Sequence, residues 1–150
     1  MAARKKLSPA QAGILHGFRS GLEEAVANQM RRLGVTVEYE VLKVGYIKPA
    51  RKAKYTPDFA LPNGIVIETK GRFLTEDRQK HLLVKEQHPK LDIRFVFSNS
   101  NAKISKGSRT TYAAWCTKHG FMYADRLVPV EWVNEPPNPE RMEALASLNT

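Results

Sequence analysis

The segment Thr56–Gly71, TPDFALPNGIVIETKG, decides how the chain folds. Its apolar residues suit two short β-strands around a turn, yet Asp58, Glu68 and Lys70 put three charges into what otherwise reads as half-buried sheet. The turn, Leu61-Pro62-Asn63-Gly64, carries proline, asparagine and glycine in the order of a type I turn closed by a left-handed glycine. A loop of Pro62, Asn63 and Gly64 sets Leu61 opposite Ile65, Ala60 opposite Val66, Phe59 opposite Ile67 and Asp58 opposite Glu68. Side chains alternate along a strand, so Glu68 and Lys70 then share a side, with Asp58 as their cross-strand neighbour. A shorter Asn63-Gly64 loop would instead pair Asp58 with Thr69 and separate the acids; Pro62 favours the longer loop.

Two carboxylates facing one another repel. A divalent cation resolves that repulsion, and Mg2+ favours one or two carboxylates with its other positions filled by water and phosphate. Lys70 beside them can hold a phosphate oxygen or help deprotonate a water. Those are the parts that phosphodiester hydrolysis needs: polarised phosphorus, an activated water and positive charge at the transition state. The plain alternative is a solvated polar face in which Lys70 neutralises Asp58 and Glu68.

Charge points the same way. The 150 residues carry 24 Lys and Arg against 15 Asp and Glu, a net charge of +9, which favours a polyanionic partner such as nucleic acid. Acids are missing from three basic blocks. Residues 1–19 contain Arg4, Lys5, Lys6 and Arg19; residues 43–54 contain Lys43, Lys48, Arg51, Lys52 and Lys54; residues 98–120 contain Lys103, Lys106, Arg109 and Lys118. Lys103, Lys106 and Arg109, on a polar loop, suit phosphate contact, as does the N-terminal arm. The single cysteine, Cys116, excludes an internal disulfide and a cysteine-based zinc site. No apolar run reaches a membrane span and the basic N-terminus lacks an apolar h-region, so the expected location is cytoplasmic, without membrane contact.

Around the hairpin the pattern alternates between helix and strand. Residues 1–17 read as a flexible basic arm. Ser20-Gly21-Leu22-Glu23 is a capping box opening a helix that ends at Gly34, with Leu22, Ala25, Val26, Met30 and Leu33 on its apolar stripe. Val35–Val41 alternates as a strand and slips at Val41-Leu42. Residues 43–54 form a basic connector with no strong period. Thr75 can cap a second helix that His88-Pro89 stops. Leu91–Phe97 is a strand, Ser108 or Thr110 can cap a third helix ending at His119-Gly120, and Phe121–Ala124 is a short strand. Residues 135–150 read as a proline-rich linker and tail with a short helix. The result is an α/β domain around a mixed sheet. The four histidines, His16, His81, His88 and His119, show no metal spacing and read as surface or helix-end residues; Cys116 and Trp132 read as packing.

Glu23 and Glu24 fall about 100° and 200° round the first helix from Leu22. Glu23 flanks the apolar stripe and can reach a cleft, besides serving the cap; Glu24 faces solvent.

FRSGLEE, YTPDFALPNGIVIETKG, DRQKHLLVKEQHP, LDIRFVFSNS and KHGFMYADRL, in this order between about Phe18 and Trp132, together resemble the endonuclease I family of T-odd coliphages and related podophages, which are junction-resolving enzymes. The resemblance implies a restriction-endonuclease-like PD-(D/E)xK fold for a nuclease domain of residues 18–134. Its site would be Asp58, Glu68 and Lys70, with Mg2+ (or Mn2+) on Asp58, Glu68 and the Thr69 backbone carbonyl. Glu23 would complete the site and serve a second metal or the water. It also implies an intertwined homodimer in which this acid comes from the opposite subunit, with residues 43–54 as the bridge. This chain departs from the family pattern in a more basic bridge, where Arg51, Lys52 and Lys54 stand, and in a tail, EALASLNT, that lacks a basic run.

The function expected is metal-dependent endonucleolytic cleavage of four-way and other branched DNA, with degradation of host DNA, in the cytoplasm of an infected cell. A linear-duplex endonuclease of the same fold and a non-catalytic basic DNA-binding module are the alternatives.

Overall fold

The computed structural model describes residues 21–48 and 51–148. Arg4, Lys5, Lys6, Arg19, His16 and the Ser20 cap lie outside them. The first helix, α1, runs Gly21–Arg32, with Glu23, Val26, Ala27 and Met30 buried and Glu24 exposed. Gly34 follows at φ 69°, a left-handed end as the sequence predicts. Leu33, read as part of the stripe, is 43% exposed.

Five strands form the central sheet in the order β1-β4-β5-β6-β7: β1 Glu38–Tyr39, β4 Phe59–Ala60, β5 Ile65–Lys70, β6 Asp92–Phe97 and β7 Tyr123–Asp125. The first two pairings are antiparallel and the last two parallel, a mixed sheet. Between β5 and β6 the chain crosses over through α2, Thr75–Gln87; between β6 and β7 it crosses through α3, Tyr112–His119. Two short helices follow, α4 Val130–Asn134 and α5 Pro139–Ser147.

Each face of the sheet carries its own core. Ile65, Ile67, Phe59 and Val96 pack with Val26 and Met30 of α1 and Trp132 of α4. Val66, Phe95 and Phe97 pack with Val84 of α2, Trp115 and Cys116 of α3, and Phe73. β5 is covered on both faces, and Ile65, Val66 and Ile67 are fully buried. Burying each such side chain contributes about 1.5–3 kcal/mol.

The hairpin keeps the register set by the longer loop. Phe59 pairs with Ile67 and Ala60 with Val66; the Leu61 amide donates to the Ile65 carbonyl at 2.8 Å, and the Gly64 amide to the Leu61 carbonyl at 3.0 Å. Gly64 sits at φ 95°, and a Cβ there would lie 2.9 Å from Arg141 Cγ, so both backbone and packing require glycine. Asn63 is buried and its amide donates to the carbonyls of Trp132 at 2.8 Å and Glu135 at 3.0 Å. The turn is thereby tied to the C-terminal region.

Some expectations need correction. The strand expected over Val35–Val41 is paired only at Glu38 and Tyr39, because Glu40 adopts φ 52° and bends the chain one residue earlier than the alternation slips. The connector is a two-stranded antiparallel ribbon, β2 Val44–Lys48 and β3 Arg51–Tyr55. Val44, Tyr46 and Tyr55 bury one face of it while Gly45 and Ile47 stay exposed, a period of two hidden among basic residues. Gln87 seals its outer edge, accepting from Ile47 N at 2.6 Å and donating to Ile47 O at 2.8 Å. Helix α2 begins at Thr75 rather than being capped by it; Asp77 accepts from the Leu74 amide at 3.2 Å. Thr111, not Ser108 or Thr110, caps α3, accepting from Ala114 N.

His81 is no surface residue. It is fully buried, its ring is 4.8 Å from those of Tyr55 and Phe95, and neither ring nitrogen has a hydrogen-bond partner. Burial, then the charges of Lys80 and Lys70, hold it well below the usual imidazole range. The tail helix α5 is docked by Arg141, whose Nε donates to Asn63 O at 2.8 Å. Its guanidinium and that of Arg94 share the carboxylates of Asp92 and Glu135.

Two stability measurements follow. His81 stays neutral in the fold while the unfolded chain takes up a proton near pH 6.5, so its contribution is intact above that pH and is lost as pH falls below it. In urea titrations, His81→Leu should lose less stability than the wild type between pH 7 and pH 5; parallel losses would contradict the assignment. Arg141→Met should cost about 2–3 kcal/mol in the same assay, since it removes one of the two guanidiniums that Asp92 and Glu135 share and strands the Asn63 carbonyl. A cost under about 0.5 kcal/mol would show that the tail does not hold the hairpin.

Candidate active site

Asp58 precedes β4, and Glu68 and Lys70 end β5. Asp58 and Glu68 are both 4% exposed, an unusual depth for carboxylates. They meet in a cavity of about 440 Å³ whose walls include Glu23, Tyr55, Thr69, Lys70 and Asp77, with Lys54 and Lys80 at its basic side.

The acids are held by different partners. Asp58 Oδ2 accepts from the Thr69 amide at 2.8 Å and from the Thr69 hydroxyl at 2.7 Å. Glu68 Oε1 accepts from the Tyr55 hydroxyl at 2.6 Å and from the Asp58 amide at 3.3 Å. By alternation Thr69 points to the side of Ile65 and Ile67, and Glu68 to the side of Val66. Asp58 therefore does not lie beside Glu68 and Lys70 on one face, as the register alone implied. Both acids nevertheless line the same cavity.

Glu23 enters from α1 of the same chain and is 5% exposed; Tyr39 donates a hydrogen bond to it. One carboxylate oxygen from each of Glu23, Glu40 and Asp58 lies within 4.8 Å of the others. Lys70 Nζ stands 3.5 Å from Glu68 Oε2 and 3.1 Å from Asp77 Oδ1. The same Asp77 oxygen lies 3.9 Å from Lys80 Nζ.

Electrostatics follow from this crowding. Burial, then the charges of Glu68 and Glu23, push the Asp58 carboxyl up to about 8, although the two Thr69 hydrogen bonds oppose the shift. Burial also raises Glu68, against Lys70 and the Tyr55 hydrogen bond. For Lys70, burial favours loss of the proton, but Glu68, Asp77 and Asp58 outweigh it and raise the ammonium. Negative charge is thus confined without enough positive charge nearby. The carboxylate oxygens of Glu23, Glu40 and Asp58 form a crowded all-oxygen set that suits a hard divalent cation; Glu68 lines the same cavity but is not one of this cluster.

Glu23, Asp58, Glu68 and Lys70, the four residues that the sequence singles out, line one cavity. Lys54 reaches the cavity; Arg51 and Lys52 are exposed on the ribbon and Lys103, Lys106 and Arg109 on the β6–α3 loop, and none of these five lines the cavity. The sequence did not single out Glu40, Tyr39, Tyr55, Asp77 and Lys80. Only Asp77 and Lys80 left a trace, as an i, i+3 pair on the helix after the hairpin.

The sequence matches the family described as phage endonuclease I over residues 1–149. It is 56% identical over 119 residues to Endonuclease I of Escherichia phage T7, covering 79% of this chain and 80% of that protein. It is 55% identical over 119 residues to Endodeoxyribonuclease 1 of Enterobacteria phage T3, covering 79% of this chain and 78% of that one. With identity at this level across most of both chains, and a buried carboxylate–lysine site within the matched region, this protein belongs to the phage endonuclease I family.

Proposed function

We propose that the protein is a Mg2+-dependent (or Mn2+-dependent) endodeoxyribonuclease that resolves four-way and other branched DNA junctions by phosphodiester hydrolysis. The observation that carries this function is the excess of buried carboxylate in the cavity, beside a lysine held protonated. Family membership adds that relatives bear the names endonuclease and endodeoxyribonuclease.

Asp58 and Glu68 would hold the metal ion with the Thr69 carbonyl, and Glu23 would serve a second ion or the water. When bound, the ion would supply Lewis-acid polarisation of the phosphorus and a more acidic water. Thr69 fixes the Asp58 carboxylate through two hydrogen bonds, and Tyr55 fixes Glu68. Each acid is therefore oriented before substrate arrives, which spares reorganisation during reaction. Lys70, kept charged by its acidic neighbours, is suited to orient the attacking water and stabilise the developing negative charge. Asp77 holds it in place from α2.

Junction selectivity, dimerisation and the restriction-endonuclease-like classification of the core belong to the same proposal. Resolving a junction takes two symmetric cuts, which a two-fold homodimer with two sites would make. In the intertwined form, the ribbon of residues 43–54 would bridge the halves and α1 of one subunit would bring Glu23 to the other. Arg51, Lys52, Lys54, Lys103, Lys106 and Arg109, with the N-terminal arm, would grip phosphates and read DNA shape rather than bases. In an infected cell such an enzyme would debranch replicated phage DNA and degrade host DNA. Among the described residues no helix is long and apolar enough to cross a membrane.

The direct test incubates a four-way junction and its linear arms with the protein, with and without Mg2+. Preferential, metal-dependent cutting of the junction is expected, and Glu68→Ala or Lys70→Ala should each lose at least about 100-fold in rate. Equal cutting of the linear arms would favour a linear-duplex endonuclease. Binding without cleavage would favour a basic DNA-binding module, and activity surviving both substitutions would sink the site.

A second test reads the metal without activity. The folded Asp58 pKa of about 8 lies above its ordinary value, so its contribution to stability is present in acid and is lost as pH rises toward 8. Without added metal at pH 8, Asp58→Asn should raise Tm by about 3 °C, and the gain should vanish near pH 4. Mg2+ should raise Tm of the wild type at pH 8 but not that of Asp58→Asn. An equal Mg2+ shift in both proteins would count against Asp58 as a ligand.

A further inference from the structure

The cavity holds a second half-buried lysine that the proposed chemistry does not use. Lys80 projects from α2 one turn beyond Asp77, and its side chain is only 25% exposed. A lysine on an outer helix ordinarily extends its ammonium into water. Here Nζ instead stands 5.1 Å from the centre of the Tyr55 ring, the same tyrosine that bonds Glu68, and lines the cavity with Asp58, Glu68 and Lys70.

Its position has an electrostatic cost that Asp77 meets only in part. Lys70 and Lys80 share one oxygen, Asp77 Oδ1, with Lys70 at 3.1 Å and Lys80 at 3.9 Å. The shorter contact is a hydrogen bond; the longer one is charge attraction alone. Burial and the charge of Lys70 both work against the Lys80 ammonium, lowering its pKa, while Glu68, Asp77 and Asp58 support it. If Asp58 and Glu68 turn toward a metal ion, that support weakens. The Lys80 ammonium would then face the cavity with donors to spare beside another cation. An incoming anion relieves the conflict, and the anion that the proposed reaction brings is a DNA phosphate.

We infer that Lys80 is a substrate-binding residue of this site, its ammonium taking a non-bridging oxygen of a phosphate in the bound DNA strand while Lys70 attends the reacting group. This rests on the nuclease function proposed above. As a compact cation on a flexible stem, lysine suits a phosphate whose exact orientation differs between substrates. The contact forms on binding and persists through reaction, so it acts on affinity more than on the chemical step.

The experiment compares wild type, Lys80→Met and Lys80→Arg on a four-way junction in Mg2+ over a range of KCl concentrations. Methionine keeps the stem against Tyr55 and removes the charge; arginine keeps the charge. Thermal melts verify that each variant is folded. The expected result for Lys80→Met is a KM raised about tenfold, kcat within about threefold of wild type, and a salt slope of log KM smaller by about one phosphate contact. Lys80→Arg should recover most of the lost affinity and restore the slope. A folded Lys80→Met with wild-type KM and salt slope would overturn the inference, as would a loss confined to kcat. A structural ion pair with Asp77 would change Tm without changing the salt slope. Wild-type protein that cuts no DNA would instead overturn the nuclease function. Equilibrium binding of the same uncut junction in Mg2+ then tests Lys80 by itself: an unchanged salt slope in Lys80→Met rejects the contact, and a reduced slope supports it.

Discussion

The pair of hydrogen bonds from Thr69 to the Asp58 carboxylate is the constraint on which the site depends. They run from β5 to the residue just before β4 and draw a carboxylate to the end of the sheet, where water is scarce. These bonds favour the charged form, yet burial and the neighbouring acids outweigh them. The fold holds an arrangement that its electrostatics resist, and the resistance is overcome by apolar burial on both faces of β5. Buried acids of this kind serve binding at the expense of stability.

Four elements supply the surrounding groups: α1 gives Glu23, the β1 end gives Tyr39 and Glu40, β3 gives Tyr55, and α2 gives Asp77 and Lys80. Antiparallel strands deliver the first acid and the parallel crossover delivers the helix with the second set of charges. The site thus lies where the two kinds of pairing meet on β5. Short connections on one side and a helical crossover on the other let groups distant in sequence converge without a long loop.

Much of this was legible in the sequence because local rules acted alone. Pro62, Asn63 and Gly64 determine the turn, the turn determines the register, and the register sets Asp58 at the same end of the hairpin as Glu68 and Lys70. Gly34, Gly120 and His88-Pro89 end helices for backbone reasons that need no tertiary context. What stayed hidden depends on partners distant in sequence. Glu40 turns left-handed although nothing in its neighbourhood demands it, and its amide bonds the Asp58 carbonyl. The ribbon was obscured because its exposed face carries the basic residues that drew attention to charge. His81 lies within a charged helix and gives no sign of the aromatic enclosure formed by Tyr55, Phe73, Phe95 and Phe121. Arg141 sits in a segment that reads as tail, and only the fold brings it to Asn63.

Gly64 illustrates how such distant contacts restrict variation. A side chain at this position would collide with Arg141 and Met142, so the turn and the last helix cannot drift independently. Any lineage that shortens or reshapes its C-terminal helix must keep another cover for the Asn63 carbonyl and another partner for Asp92 and Glu135. The last helix and the turn are therefore packed together as one structural unit.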